Sequence, residues 1–134
     1  MEGISTPSFV VNLQKLKKNV NSMIEKTKQL GIELRPHIKT HKTIEGAFYQ
    51  IFGDDDISLR EKRVKSPECK ICVSTLGEAK FFAKAGFEDI LYAMPVPASK
   101  LDKIYELTKS MPKFSFTFDH PVQFEAAEKY WLGI

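Results

Sequence analysis

Apolar positions recur at spacings of three and four along residues 13–30: Leu13, Leu16, Val20, Met23 and Ile24, with Thr27 continuing the stripe. The opposite face is rich in lysine (Lys15, Lys17, Lys18, Lys26, Lys28). This pattern predicts an amphipathic helix with a solvated basic face, opened by Asn12 as N-cap and closed by Gly31. Before it, the run Ser8-Phe9-Val10-Val11 reads as a short strand. After it, residues 32–38 read as a strand. Residues 43–52 read as a helix, with Ile44, Ala47, Phe48 and Ile51 at helical spacing and Gly53 as its stop.

Residues 54–68 break the pattern. They are dense in charge, open with three Asp residues and close on Ser66-Pro67, which predicts an exposed loop. Regularity then returns. Strands are expected over 70–73, 89–93 and 114–118. Helices are expected over 75–85, from an N-capping Ser99 through Ser110, and over 121–130 with Pro121 in the first turn. Strands alternating with helices across short connections imply repeated βα units and a parallel sheet. The fold class is therefore α/β, either an open doubly wound sheet or part of a (β/α)8 barrel. A whole barrel needs about 250 residues. On the barrel reading the 134 residues form about its N-terminal half, and the chain stops inside the repeating pattern.

Composition narrows the function. The formal net charge is +3, with both signs well mixed, which points to neither nucleic acid nor a membrane surface. No run of about 18 apolar residues occurs, so no membrane-spanning helix is expected. The N-terminus lacks the basic and apolar regions of a secretory signal, and Glu2 stands where myristoylation needs glycine. Two cysteines without a signal suggest a reduced, cytoplasmic protein. A small-molecule ligand is the remaining class of partner.

The candidate chemistry lies in the run Arg35 to Lys42. Strand alternation puts Arg35, His37 and Lys39 on one face, and Leu34 and Ile38 on the other. Lys39 falls at the C-terminal end of the strand, where active sites of parallel α/β folds gather. A lysine that forms an imine must lose its proton, and burial or neighbouring positive charge favours that loss. Arg35, His37, His41 and Lys42 would supply such charge and receive an anionic group. The residues alone also allow a basic surface loop, and Pro36 sits awkwardly within an enclosed strand. Ser74 and His120, after the strands at 70–73 and 114–118, face the same end and are further candidates for cofactor contact. His120 also suits the turn before Pro121. Thr75 with Glu78 reads as a capping box. Cys69-Lys70-Ile71-Cys72 is a lone C-x-x-C that cannot complete a zinc site, and reads as one loop and one core cysteine. Tyr92 and Met94, at the end of their strand, fit either a wall of the cofactor pocket or the core, and Phe81, Phe82, Phe114, Phe116 and Phe118 are expected in the core.

The segment Arg35-Pro36-His37-Ile38-Lys39-Thr40-His41-Lys42-Thr43 resembles the cofactor-lysine motif of eukaryotic D-serine dehydratases and D-threonine aldolase-like enzymes, of the alanine-racemase-like class. Residues 6–19 resemble that family's opening segment. Val73-Ser74-Thr75-Leu76-Gly77-Glu78-Ala79, Phe81-Phe82, Gly86-Phe87, Asp89-Ile90 and Pro95-Val96-Pro97 resemble its second and third barrel units. The family also carries the proline at position 36. The resemblance implies the N-terminal part, residues 1–134, of a pyridoxal phosphate-binding barrel domain, with a C-terminal β domain lying beyond it. It implies that Lys39, not Lys42, carries pyridoxal phosphate as a Schiff base, and that a full-length homodimer converts a D-amino acid, D-serine foremost, to pyruvate and ammonia. Zinc is implied only for the full-length protein, because the family's His and Cys ligands have no counterpart here. The 134 residues are accordingly expected to be catalytically incompetent alone. The alternatives are a D-threonine aldolase-like lyase, a non-catalytic pyridoxal phosphate-binding barrel protein, or a remnant that survives by pairing with another chain.

Overall fold

The computed structural model describes residues 3–54 and 56–133. The amphipathic stripe forms helix α1 (Leu13–Leu30), capped by the Asn12 side chain on the Lys15 N–H and ended by Gly31 in the left-handed region. Helix α2 (Ile44–Phe52) starts at Thr43, whose hydroxyl accepts from the Gly46 N–H, and ends at Gly53. Gly53 has φ of 83°, and a Cβ there would meet the Asn21 Oδ1 of α1 at 2.5 Å. The left-handed backbone is what favours glycine here, since the Asn21 side-chain tip could move aside. Lys17 of α1 lies over the Tyr49 ring of α2, at 5.7 Å from its centroid.

The charge-dense stretch is not wholly irregular. It holds a 3-10 turn (Ile57–Leu59) and a short helix α3 (Arg60–Arg63). An Arg63–Asp54 ion pair closes it, Arg63 lies over the Phe52 ring, and Val64 is buried beneath. Charge density predicted exposure correctly for most of its described residues, but hid the burial of Val64.

Three parallel strands follow: β1 (Lys70–Val73), β2 (Asp89–Pro95) and β3 (Ser115–Thr117), paired in sequence order. Between them run α4 (Leu76–Lys84) and α5 (Leu101–Ser110), and α6 (Pro121–Leu132) closes the series. Ile71 and Val73 of β1 and Ile90 and Tyr92 of β2 are buried on the helix side, together with Ile38, Phe48, Phe82, Phe87 and Ile104. Each such side chain contributes roughly 1.5–3 kcal/mol by leaving water. The other face carries Arg35, His37, Lys70, Cys72, Asp89 and Leu91, all partly buried. In a barrel this face is the interior.

Four expectations are corrected. Residues 8–11 pair with no strand among the described residues, and Phe9 is 84% exposed; an extended run without a partner gains no ladder. The strand expected over 32–38 is reduced to one bridge, His37 to Cys72. Pro36 contributes its carbonyl to the Cys72 N–H at 2.8 Å, but has no N–H to return. Ser99 does not cap a helix. It lies in a 3-10 turn (Ala98–Lys100) set by Pro97, whose carbonyl accepts from Lys100, and α5 begins without a side-chain cap. Phe81 is exposed and packs edge-to-face on buried Phe82.

Candidate functional site

The segment carrying the basic run enters beside β1 and turns sharply after His37. The Ile38 N–H donates to the Cys72 carbonyl at 3.0 Å, and the Lys42 N–H donates back to the Ile38 carbonyl at 2.9 Å. Lys42 takes a left-handed backbone, with φ of 52°. Residues 38–42 thus form a tight turn on the C-terminal edge of the sheet, level with the end of β1.

His37 organises this turn. Its Nδ1 accepts the Lys39 N–H at 3.2 Å, and its Nε2 lies 3.1 Å from Ser74 Oγ. An imidazole that accepts at Nδ1 carries its proton at Nε2, so His37 donates to Ser74. Burial, and then the charge of Lys39, lower the His37 pKa from its ordinary 6.5, against an opposing pull from Glu78. The ring is therefore held neutral.

His41 is fixed in the same way from the other side. Its Nδ1 accepts the Thr43 N–H at 3.1 Å, and its Nε2 donates to Gln50 Oε1 at 2.9 Å. The ring lies against the first turn of α2, where a Cβ on Gly46 would come within 2.3 Å of Nδ1.

The two lysines of the turn differ. Lys42 Nζ lies 3.2 Å from Glu78 Oε1. The other oxygen of Glu78 accepts the N–H groups of Ser74 at 2.8 Å and Thr75 at 3.2 Å, completing the capping box of α4. Burial would raise the Glu78 pKa, but the Ser74 N–H, Lys42 and the Thr75 N–H together hold it below its ordinary 4.5. Lys39 is exposed, and its amine makes no hydrogen bond or ion pair among the described residues.

Lys39, His37, Ser74 and His41 are thus brought onto one turn and its supports. Arg35 is not. Its guanidinium pairs with Asp89 at 2.6 Å and reaches the Ile71 and Asp89 carbonyls, at the opposite end of the sheet. Strand alternation placed Arg35 on the correct face, but two residues back along an extended chain is about 7 Å away. His120 lies past β3, at the far side of the sheet order from the His37 bridge. Its Nδ1 accepts the Val122 N–H and caps α6. Tyr92 is buried on the helix side with its hydroxyl accepting from Lys100 at 3.0 Å, while Met94 is exposed. Cys69 is buried, and burial pushes its thiol up to about 12. Cys72 lies on the inner face. Among the described residues no cluster of His, Cys, Asp or Glu is placed to hold a metal, and no helix is long and apolar enough to cross a membrane. Sequence reasoning treated Glu78 only as a cap. Its pairing with Lys42 spans 36 positions and left no local signal.

A scan against protein-family profiles finds no match. Among curated proteins, the chain is 33% identical over 134 residues to D-serine dehydratase of Schizosaccharomyces pombe, covering 97% of this chain and 29% of that protein. It is 38% identical over 120 residues to D-serine dehydratase of Dictyostelium discoideum, covering 90% of this chain and 28% of that protein. Among solved structures, D-threo-3-hydroxyaspartate dehydratase from Delftia sp. HT23 superposes with a TM-score of 0.79 at 27% identity, covering 98% of this chain and 31% of that one. An alanine racemase-like protein from Idiomarina loihiensis gives 0.72 at 33% identity, covering 90% and 29%. The chain spans about three-tenths of the length of these relatives.

Proposed function

This chain is homologous to the N-terminal portion of D-serine dehydratases, within an alanine-racemase-like fold, and from that premise we propose that Lys39 is the amine through which the whole protein binds pyridoxal phosphate as a D-amino acid lyase. D-serine, giving pyruvate and ammonia, is the proposed substrate. The observation that carries the assignment is the contrast within one turn: Lys42 is engaged by Glu78 at 3.2 Å, whereas the Lys39 amine has no partner among the described residues.

The local donor set fits such a group. The His37 ring accepts the Lys39 backbone N–H and meets the Ser74 hydroxyl, and the Lys39 charge acts on that ring, on the edge of a parallel sheet where α/β folds bind ligands. When bound, the cofactor withdraws electrons from the substrate α-carbon. The chain's own residues do the rest of the work assigned here. Lys39 Nζ supplies the attachment and moves the α-proton. His37 fixes the Lys39 backbone through Nδ1 and orients the Ser74 hydroxyl through Nε2. His41, clamped between Thr43 and Gln50, holds the far side of the turn.

On this reading residues 1–134 are the N-terminal part of the cofactor-binding barrel domain of a cytoplasmic homodimer, with zinc held outside this segment. The family resemblance and the inward-facing polar strand face support it. A second reading, carbon–carbon cleavage in the manner of an aldolase, is favoured by the 29% identity over 108 residues to 3-hydroxy-D-aspartate aldolase of Paracoccus denitrificans. The test is product analysis of the whole protein carrying this segment, with D-serine and with β-hydroxy D-amino acids. Pyruvate from D-serine that disappears in Lys39→Ala supports the dehydratase. Glycine and an aldehyde would indicate the aldolase, and products unaffected by Lys39→Ala would refute the assignment.

A further inference from the structure

The turn holds two lysines three positions apart, and both amines are more than superficially accessible. Lys42 has a 59% exposed side chain, so solvent access alone does not keep it from reacting. What distinguishes Lys42 from Lys39 is its neighbouring acid. Glu78 is 9% exposed, accepts two backbone N–H groups through Oε2, and leaves Oε1 facing Lys42. That second oxygen is buried and accepts no hydrogen bond, so the ion pair with Lys42 at 3.2 Å is what compensates its charge among the described residues. Moving Lys42 away would strand a buried carboxylate oxygen, which is costly. Lys39 has no such tether.

We propose that Glu78 is a positioning residue that selects the reactive lysine: it pins the Lys42 ammonium against the start of α4 and leaves Lys39 as the only amine of the turn free to attack an aldehyde. This deepens the functional reading above and rests on it. In the step concerned, the amine nitrogen bonds to the aldehyde carbon and the carbonyl oxygen leaves as water with the two amine hydrogens. Borohydride then delivers hydride to that carbon, while solvent protonates the nitrogen, so the attachment point is recorded permanently.

The test compares the whole protein carrying this segment, as parent, with its Glu78→Gln variant, which keeps an oxygen for the capping box but loses the charge. Each is incubated with pyridoxal phosphate, reduced with borohydride, digested and mapped by mass spectrometry. The parent should carry its adduct on Lys39, and Glu78→Gln should raise the Lys42 share about five-fold, the scale of a half-exposed pair. An unchanged Lys39-only pattern in a folded Glu78→Gln chain overturns the role of Glu78 while leaving the functional reading intact. No adduct on either lysine of the parent overturns that reading, and this proposal with it. A cofactor-free measurement needs no variant: under brief limiting acetic anhydride, Lys42 of the parent should be acetylated more slowly than Lys39. Equal rates there overturn the proposal even if Glu78→Gln does not fold.

Discussion

The Nε2 of His37 lies 3.1 Å from the Oγ of Ser74, joining the turn that carries Lys39 to the end of β1. Because Nδ1 of the same ring accepts the Lys39 N–H, both nitrogens are used only when the ring is neutral. Its pKa is lowered by burial and by Lys39. A base with a depressed folded pKa stabilises the fold fully above its unfolded pKa. That stability falls as pH drops below 6.5 and levels off beneath the folded pKa. A proton NMR titration of the His37 ring should therefore give a midpoint below 6.5. A midpoint at or above 6.5 would contradict the lowering by burial and by Lys39.

Gly46 and His41 form a second coupled pair. Ala in a helix is ordinarily better than Gly by about 1 kcal/mol. Here the added Cβ would sit 2.3 Å from His41 Nδ1. Gly46→Ala should instead destabilise the chain by about 1 kcal/mol net, since overpacking costs about 1–3 kcal/mol. In His41→Ala the same substitution should become neutral or stabilising. Urea midpoints for the four chains of the cycle measure this coupling; additive effects would mean the ring does not block that position.

The two lysines should differ in stability as well as in reactivity. Lys39→Ala removes an amine without a partner and should change stability by less than about 0.5 kcal/mol. Lys42→Ala leaves Glu78 Oε1 buried without its ion pair and should cost about 1 kcal/mol, a figure kept small because Lys42 is largely exposed. Chemical denaturation at neutral pH separates the two. A larger loss for Lys39→Ala would reverse the assignment of roles.

Much of this was legible in the sequence. Helix α1 follows its periodic stripe to the residue, because Asn12 and Gly31 mark its ends chemically. Strand β1 and the capping box at Thr75 and Glu78 were equally plain. Alternation put Arg35 and His37 on one face correctly. It could not show that Asp89, 54 positions on, neutralises Arg35 at the far end of the sheet. Nor could it show that Glu78, 36 positions on, pairs with Lys42. Pairings between distant segments leave no periodic trace, and they decide which basic groups remain available.

Thiol chemistry checks the sheet independently. Burial pushes the Cys69 thiol up to about 12. It also raises Cys72, although Arg35 opposes it. The thiolate is the reactive form, so alkylation of the native chain at pH 8 should be slow at both, slowest at Cys69, and fast at both after denaturation. Rapid native labelling of Cys69 would mean that the face under α3 is open.

If Lys39 is the attachment point for pyridoxal phosphate, a visible absorption titration of the whole protein carrying this segment will report it. Added cofactor should produce a new visible absorption band, distinct from that of the free cofactor, as it joins the lysine. That band should be lost in Lys39→Ala and kept in Lys42→Ala. Identical spectra for the two variants would contradict the account.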